Sequence, residues 1–336
     1  MPAGALTVVN TAAVWTDLVK LSPMVWLEGA RVALEMVRPV LDLYDTDQMD
    51  QFNRDYGAIA SSGFGKHLTE GQDYRVRTNN QEDTLSLTVV KRGDAFTITE
   101  DLIDGNKYRE IRIGMEDLGG SLFRTRARDS THVGFSFGFS SSFTDAEGYT
   151  VTNAIAKGSE PIFDDTHTMA ESSTADNELA DTALGESSLR SLQDLTTSFV
   201  DENGLRIPWG RMGTRYLVHT DDVPNEHQAR KLTEQDWNLA SSSRDENMFK
   251  GAYQRVPLFY LNTTATGAID STKDKYYFIL DSEYMKRKAV LGLHTAPTPR
   301  GPFEDNWNGG MLWRSKTRYD IGFQAYYVGA GSPATT

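Results

Sequence analysis

Between Phe96 and Arg128 the chain carries the pattern that most limits its fold. Tyr108, Ile111, Met115, Leu118 and Leu122 recur three and four residues apart, which is one face of a helix. Arg109, Arg112, Glu116, Arg124, Arg126 and Arg128 mostly fall off that face. Gly114, Gly119 and Gly120 sit in the same run, and each costs about 1 kcal/mol relative to Ala in a helix interior. A helix keeps such residues where another backbone passes close or where its axis bends. The pattern predicts a long helix lying against a sheet, entered through a turn at Gly105-Asn106. It reads as a spine between an arm with a hairpin before it and a compact globular region after it.

The arm covers residues 1–55. Trp15, Leu18, Val19 and Leu21 precede an interruption at Ser22-Pro23, where Ser22 is expected to cap a new helix with Pro23 at its first position. Trp26, Ala30, Ala33, Val37 and Val40 then follow at helical spacing until Pro39 disturbs it. Asp42, Asp45, Asp47 and Asp50 read as a solvated acidic face, because their oxygens are not arranged as a cation-binding loop.

Residues 56–95 change character. Gly57, Gly63, Gly65 and Gly71 punctuate a loop. Tyr74–Arg77 and Leu85–Val90 alternate on either side of a turn-like Thr78–Asp83, which predicts a long two-stranded hairpin. Arg75, Arg77 and Thr84 face outward, so the hairpin owns little apolar surface. A lone hairpin is marginal in water, and this one is expected to gain order on another surface, such as a neighbouring subunit.

After the spine, Phe135, Phe137, Phe139 and Phe143 share parity and predict extended chain. Leu189, Leu192, Leu195 and Phe199 mark a helix behind a cap at Ser187 or Ser188, stopped by the turn Asp201–Gly204. Arg215–His219, Val256–Leu261 and Tyr276–Leu280 read as strands, with a helix opening at Pro224. Met311–Arg314 and Tyr319–Val328 are strand-like. Strands and helices mix without a βαβ rhythm, which is the α+β class.

Bulk properties narrow the function. The 336 residues suffice for one large domain or two modest ones. There is no cysteine, which removes disulfides, thiolate metal sites and cysteine nucleophiles, and fits a reducing cytoplasm. No apolar run is long enough for a membrane span, and the N-terminus lacks the basic region of a secretory signal. The net charge of −13 disfavours sequence-specific DNA binding.

Three motifs touch chemistry. Gly134-Phe135-Ser136-Phe137-Gly138 matches the G-x-S-x-G nucleophile elbow, and His294 follows it in the order a serine hydrolase needs. An elbow serine stands between a strand and a helix, whereas here a helix precedes it, so buried phenylalanines explain the segment better. Ala60–His67 approaches a phosphate-binding loop, but its first Gly is Ala and His67 replaces the Ser/Thr that would hold magnesium. Asp164-Asp165-Thr166-His167 and His219-Thr220-Asp221-Asp222 could meet as metal ligands, although a polar loop and a helix N-terminus account for them without a metal. Neither an enzyme nor a cofactor or metal site is expected.

The whole-chain order resembles the major capsid proteins of tailed bacteriophages, which share the Hong Kong 97-type fold with encapsulins. The order is arm, hairpin, spine helix, globular domain and return strand. Ile98–Ile103 looks like the segment that enters the spine in that family. Phe163–His167, the helix ending at Gly204, Arg215–Val218 and the tail Arg314–Tyr327 are similar to runs of Mu-like major head subunits. The resemblance implies an N-terminal arm at 1–55, an extended loop at 56–95, a peripheral domain from 96–150 and 296–336, and an axial domain at 151–295. It implies hexamers and pentamers of an icosahedral shell around double-stranded DNA, located in the virion and assembled in the host cytoplasm. Scaffolding, portal and decoration proteins are the further partners. Residues expected to meet neighbouring subunits are Arg75, Arg77, Asn79, Asn80, Glu82, Asp83, Lys91 and Arg92. The hairpin tip has no Lys, so no loop crosslink is expected. The alternatives are an encapsulin-like compartment or, in a different class, a serine hydrolase using Ser136.

Overall fold

A computed structural model describes residues 11–57, 67–70, 72–74, 84–99, 101–102, 105, 107–168, 174–201, 203–236, 246–305 and 310–335. Its helices are α1 (Thr11–Leu41), α2 (Tyr108–Thr131), α3 (Glu186–Thr197), α4 (Val223–Glu234) and α5 (Ser282–Lys288). The early strands are β1 (Asp45–Gln48), β2 (Asn53–Tyr56), β3 (Leu85–Thr88), β4 (Val90–Ile98), β5 (Ser142–Thr144), β6 (Thr150–Thr152), β7 (His167–Thr168) and β8 (Thr174–Ala175). Then come β9 (Arg215–Thr220), β10 (Gln254–Leu258), β11 (Tyr277–Asp281), β12 (Ala289–Asp305), β13 (Gly310–Phe323) and β14 (Gly329–Ser332). The chain divides into two compact units. The first comprises Met1–Arg38, Val89–Ala127 and Leu293–Tyr319, and the second Pro39–Thr88, Arg128–Gly292 and Asp320–Thr336.

In the first unit the spine forms as its periodicity dictates. Ile111, Met115 and Leu118 of α2 are buried against Trp26 and Ala30 of α1 and against Ile98 and Trp313 of the sheet. The glycines serve the crossing. A Cβ on Gly119 would overlap the Trp26 carbonyl oxygen, and one on Gly29 would overlap the Glu116 carbonyl oxygen. A Cβ on Gly114 would run into the Phe96 ring. The sheet side is an antiparallel pair, β13 against β4, with Trp313 opposite Phe96 and Arg318 opposite Lys91. Trp313 is buried, and its indole N–H donates to Ser22 Oγ at 3.1 Å.

In the second unit the central sheet has the order β10-β9-β11-β14. β9 is parallel to β10 and antiparallel to β11. Every residue of β11 is buried, so its run Tyr277-Phe278-Ile279-Leu280 has no polar side. Phe278 gathers Phe135, Phe139 and Phe163 at ring-centroid distances of 5.3, 5.5 and 4.8 Å. A second organiser is Asn177, which is wholly buried. Its Nδ2 donates to the carbonyls of Ile162, Tyr326 and Gly329, and its Oδ1 accepts from Asp164 N and faces His167 Nε2. One amide side chain thus ties the loop before β7 to the C-terminal strand.

Several sequence expectations are corrected. Ser22-Pro23 does not interrupt the arm: α1 is continuous from Thr11 to Leu41, held by the buried face of Trp26, Ala30, Ala33 and Val37. Tertiary packing outweighs the local loss of one amide donor. Strand Leu85–Thr88 pairs with Asn53–Tyr56, while residues 75–83, expected opposite it, lie outside the described residues. The phenylalanine segment is not extended at its start. α2 runs into a π-helical turn at His132–Ser136, and Phe135 and Phe139 reach one cluster through turns. The cap of α3 is Gly185, not Ser187 or Ser188, although the Ser188 hydroxyl accepts from Gly185 N at 2.8 Å. The strand expected up to Leu261 ends at Leu258.

Candidate assembly surface

Alternation along β13 separates its side chains into two sets. Trp313, Ser315, Thr317 and Tyr319 are buried, while Arg314, Lys316 and Arg318 take the other side. The register brings Lys91 of β4 directly opposite Arg318 and Gly93 opposite Lys316. Gly93 adds no side chain opposite Lys316. Arg300 of β12 completes the set. The guanidinium of Arg314 lies over the Phe303 ring, 4.0 Å from its centroid, a cation–π contact that fixes its plane. Lys91, Gly93, Arg300, Arg314 and Lys316 help line a depression of about 630 Å³, in which Asp94 is the carboxylate. The Asp94 Oδ1 is engaged by the backbone N–H of Ala95 at 2.8 Å.

This is an unusual place to put charge. Same-side residues on a strand repeat every 7 Å or so, and like charges directly opposite across a ladder destabilise it. The crowding is felt at Lys316, whose ammonium is held below its ordinary pKa by Arg300 first, then by its removal from water, and by Arg318, Lys91 and Arg314.

Of the residues expected to meet other subunits, Arg75, Arg77, Asn79, Asn80, Glu82 and Asp83 lie outside the described residues. Lys91 is exposed and belongs to the cationic set. Arg92 is half-buried, opposite Thr317 on the other side of the sheet. Arg300, Arg314, Lys316 and Arg318 are not among the residues expected from sequence to meet other subunits. The signal available was the alternation Arg314-x-Lys316-x-Arg318, three cations on one strand face.

The second unit holds the opposite charge. Glu178 is pushed up to about 7, first by burial and then by Asp164, Asp165 and Asp176. No group of three or more His, Asp or Glu among the described residues is placed to hold a metal ion. The two histidines of the candidate ligand pairs are engaged locally. His167 has Glu160 Oε2 at 3.3 Å from Nδ1 and Asn177 Oδ1 at 2.9 Å from Nε2. His219 Nδ1 lies 2.6 Å from the Thr220 carbonyl.

Ser136 is not a nucleophile elbow. It ends the π-helical turn that follows α2 and is 2 % exposed. Its hydroxyl donates to the Thr263 carbonyl at 3.3 Å and accepts from Lys273 Nζ at 3.1 Å. The Lys273 ammonium also donates to the Thr263 carbonyl at 3.2 Å and sits 3.6 Å from the Phe137 ring centroid. Burial holds its pKa below the ordinary value, against the pull of Asp270. The nearby imidazole of His132 faces Thr263 Oγ1 at 2.8 Å, not Ser136, and burial first, then Arg128 and Lys273, pushes its pKa down to about 3. A buried ammonium and a neutral imidazole here lock a turn. Residues 58–66, which hold most of the phosphate-loop-like segment, lie outside the described residues. Among the described residues no helix is long and apolar enough to cross a membrane.

No known protein family matches the chain by sequence, and no curated protein matches it either. Solved structures do match it by fold. The capsid of the native GTA particle aligns over 89% of this chain and 91% of its own, with a TM-score of 0.52 and 11% identity. A chain from Gordonia phage Cozz aligns over 88% of this chain and 86% of its own, with a TM-score of 0.53 and 10% identity. The fold is therefore a phage-capsid fold of the α+β class.

Proposed function

We propose that this chain is a major capsid protein that assembles into hexamers and pentamers of an icosahedral shell around double-stranded DNA. The observation that carries the reading is the alignment with the GTA capsid subunit, which spans nearly the whole of both chains. On this reading the fold is of the Hong Kong 97 type. The helix α1 belongs to the N-terminal arm, residues 56–95 to the extended loop, α2 with β13 and the tail through residue 336 to the peripheral domain, and β9, β10 and β11 to the axial domain at 151–295. The chain then resides in the virion after assembly in the host cytoplasm, with scaffolding, portal and decoration proteins as partners. Its net charge of −13 makes few phosphate contacts, so packaged DNA remains free to slide.

The test is negative-stain microscopy and light scattering of the purified full chain, alone and with a co-expressed scaffold. Closed particles containing DNA are expected from infected or packaging-competent cells. A monomer under all these conditions overturns the reading, and particles filled with protein cargo would make it an encapsulin-like shell.

A further inference from the structure

Charge is divided unevenly between the two units. The first unit carries 14 Lys and Arg against 12 Asp and Glu, a net +2, and the second carries 20 against 35, a net −15, which together give the −13 of the chain. Within the first unit the excess is concentrated on one sheet face, at Lys91, Arg300, Arg314, Lys316 and Arg318. We propose that this cationic face is a docking surface for a second copy of the chain, which presents the acidic surface of its second unit. The inference rests on the capsid reading, since it needs copies to meet at high local concentration.

Three observations favour this occupant. First, the face is a ladder. Arg314, Lys316 and Arg318 repeat along β13 at a strand's two-residue spacing, with Lys91 and Arg300 on the strands to either side. A protein surface with a handful of carboxylates can match such a ladder. Second, the acidic unit brings carboxylates together at Asp164, Asp165, Asp176 and Glu178, with Asp165 exposed. Like charges repel within each set, and the approach of the opposite set eases both. Third, a duplex is the weaker candidate. Nucleic-acid-binding domains carry a strongly basic balance, whereas this unit reaches only +2 and brings −15 along on the same chain.

The test is the double variant Arg314→Glu, Lys316→Glu in the full chain, compared with wild type in particle yield, salt dependence and DNA content. Circular dichroism and the unfolding midpoint establish that the variant subunit folds, as expected for side chains on a sheet surface. The expected result is a folded subunit that needs roughly tenfold or more higher concentration to form particles, with wild-type assembly weakening as salt rises. A second measurement locates the contact. Particles of mixed ¹⁴N and ¹⁵N subunits, treated with a carbodiimide, should yield crosslinks from Lys91 or Lys316 to carboxylates of the second unit of a differently labelled copy. Variant particles that form at the same concentration with the same salt dependence overturn the proposal and leave the capsid reading standing. Normal variant assembly with reduced DNA content also overturns it, in favour of a phosphate contact. If wild-type chains give no particles at all, the capsid reading falls and this contact falls with it.

Discussion

The carbonyl oxygen of Trp26 lies so close to the Cα of Gly119 that a Cβ at position 119 would overlap it. Gly29 makes the reciprocal approach to the Glu116 carbonyl. Two helices are therefore in backbone contact at their crossing, and glycine is the residue that permits it. Gly119→Ala should destabilise the isolated subunit by about 1–3 kcal/mol through overpacking, despite the higher helix propensity of Ala. Chemical denaturation of the unassembled subunit measures it. Unchanged stability, with a defect seen only when shells expand, would instead favour a bend at this position.

The indole of Trp313 closes the first unit's core and spends its N–H on Ser22. Trp313→Ala should cost about 3–5 kcal/mol, as for other large-to-small changes in a core. Ser22→Ala should cost about 1–3 kcal/mol, because it leaves a buried donor without its acceptor. Loss of the second but not the first effect would place the energy in packing alone.

Asn177 offers a sharper case. Its amide reaches three backbone carbonyls, a backbone N–H and an imidazole from one buried position. Asn177→Ala should cost at least about 2 kcal/mol. Asn177→Asp should be no better, since a carboxylate cannot donate to the carbonyls of Ile162, Tyr326 and Gly329. An Asp variant as stable as wild type would contradict this assignment.

The stability of the second unit should fall as pH rises from about 4.5 to about 7. Glu178 has its folded pKa raised to about 7 from 4.5, so in that window the folded state holds a proton that the unfolded state has released. Above the folded value the loss is complete. Glu178→Gln should flatten this slope in denaturation series run at several pH values, and an unchanged slope would assign it to other groups.

Ser136 should resist labelling by a fluorophosphonate in the folded subunit, because its hydroxyl is buried and engaged by Thr263 and Lys273. Ser136→Ala should lower stability by about 1 kcal/mol and remove no esterase activity. Rapid stoichiometric labelling would restore the hydrolase reading.

Local periodicity carried much of the fold. The spine, β9, β11 and the helix opening at Pro224 are legible because burial repeats at 3.6 or 2 residues, or because a whole strand is apolar. The turn at Gly204, with φ of 69°, is legible for the same kind of local reason. What stayed hidden depends on distant partners. Even spacing of phenylalanines is shared by a strand and by the π-helical turn and bends that follow α2. Leu85–Thr88 could have paired with either neighbour in sequence, and nothing local selects Asn53–Tyr56. Lys273 looks like any surface lysine until the fold closes around it. The cationic face needed register as well as alternation, since Lys91 joins Arg318 only through the pairing of β4 with β13.

The division of the chain has a mechanical consequence. The backbone passes between the two units five times, after Arg38, Thr88, Ala127, Gly292 and Tyr319. A pull that tends to part them is shared among five peptide connections in parallel. A protease that cuts any one of these leaves the units still tethered by the other four. Neither unit can be excised as a single stretch of polypeptide, so a gene fragment encoding one alone has no natural starting point.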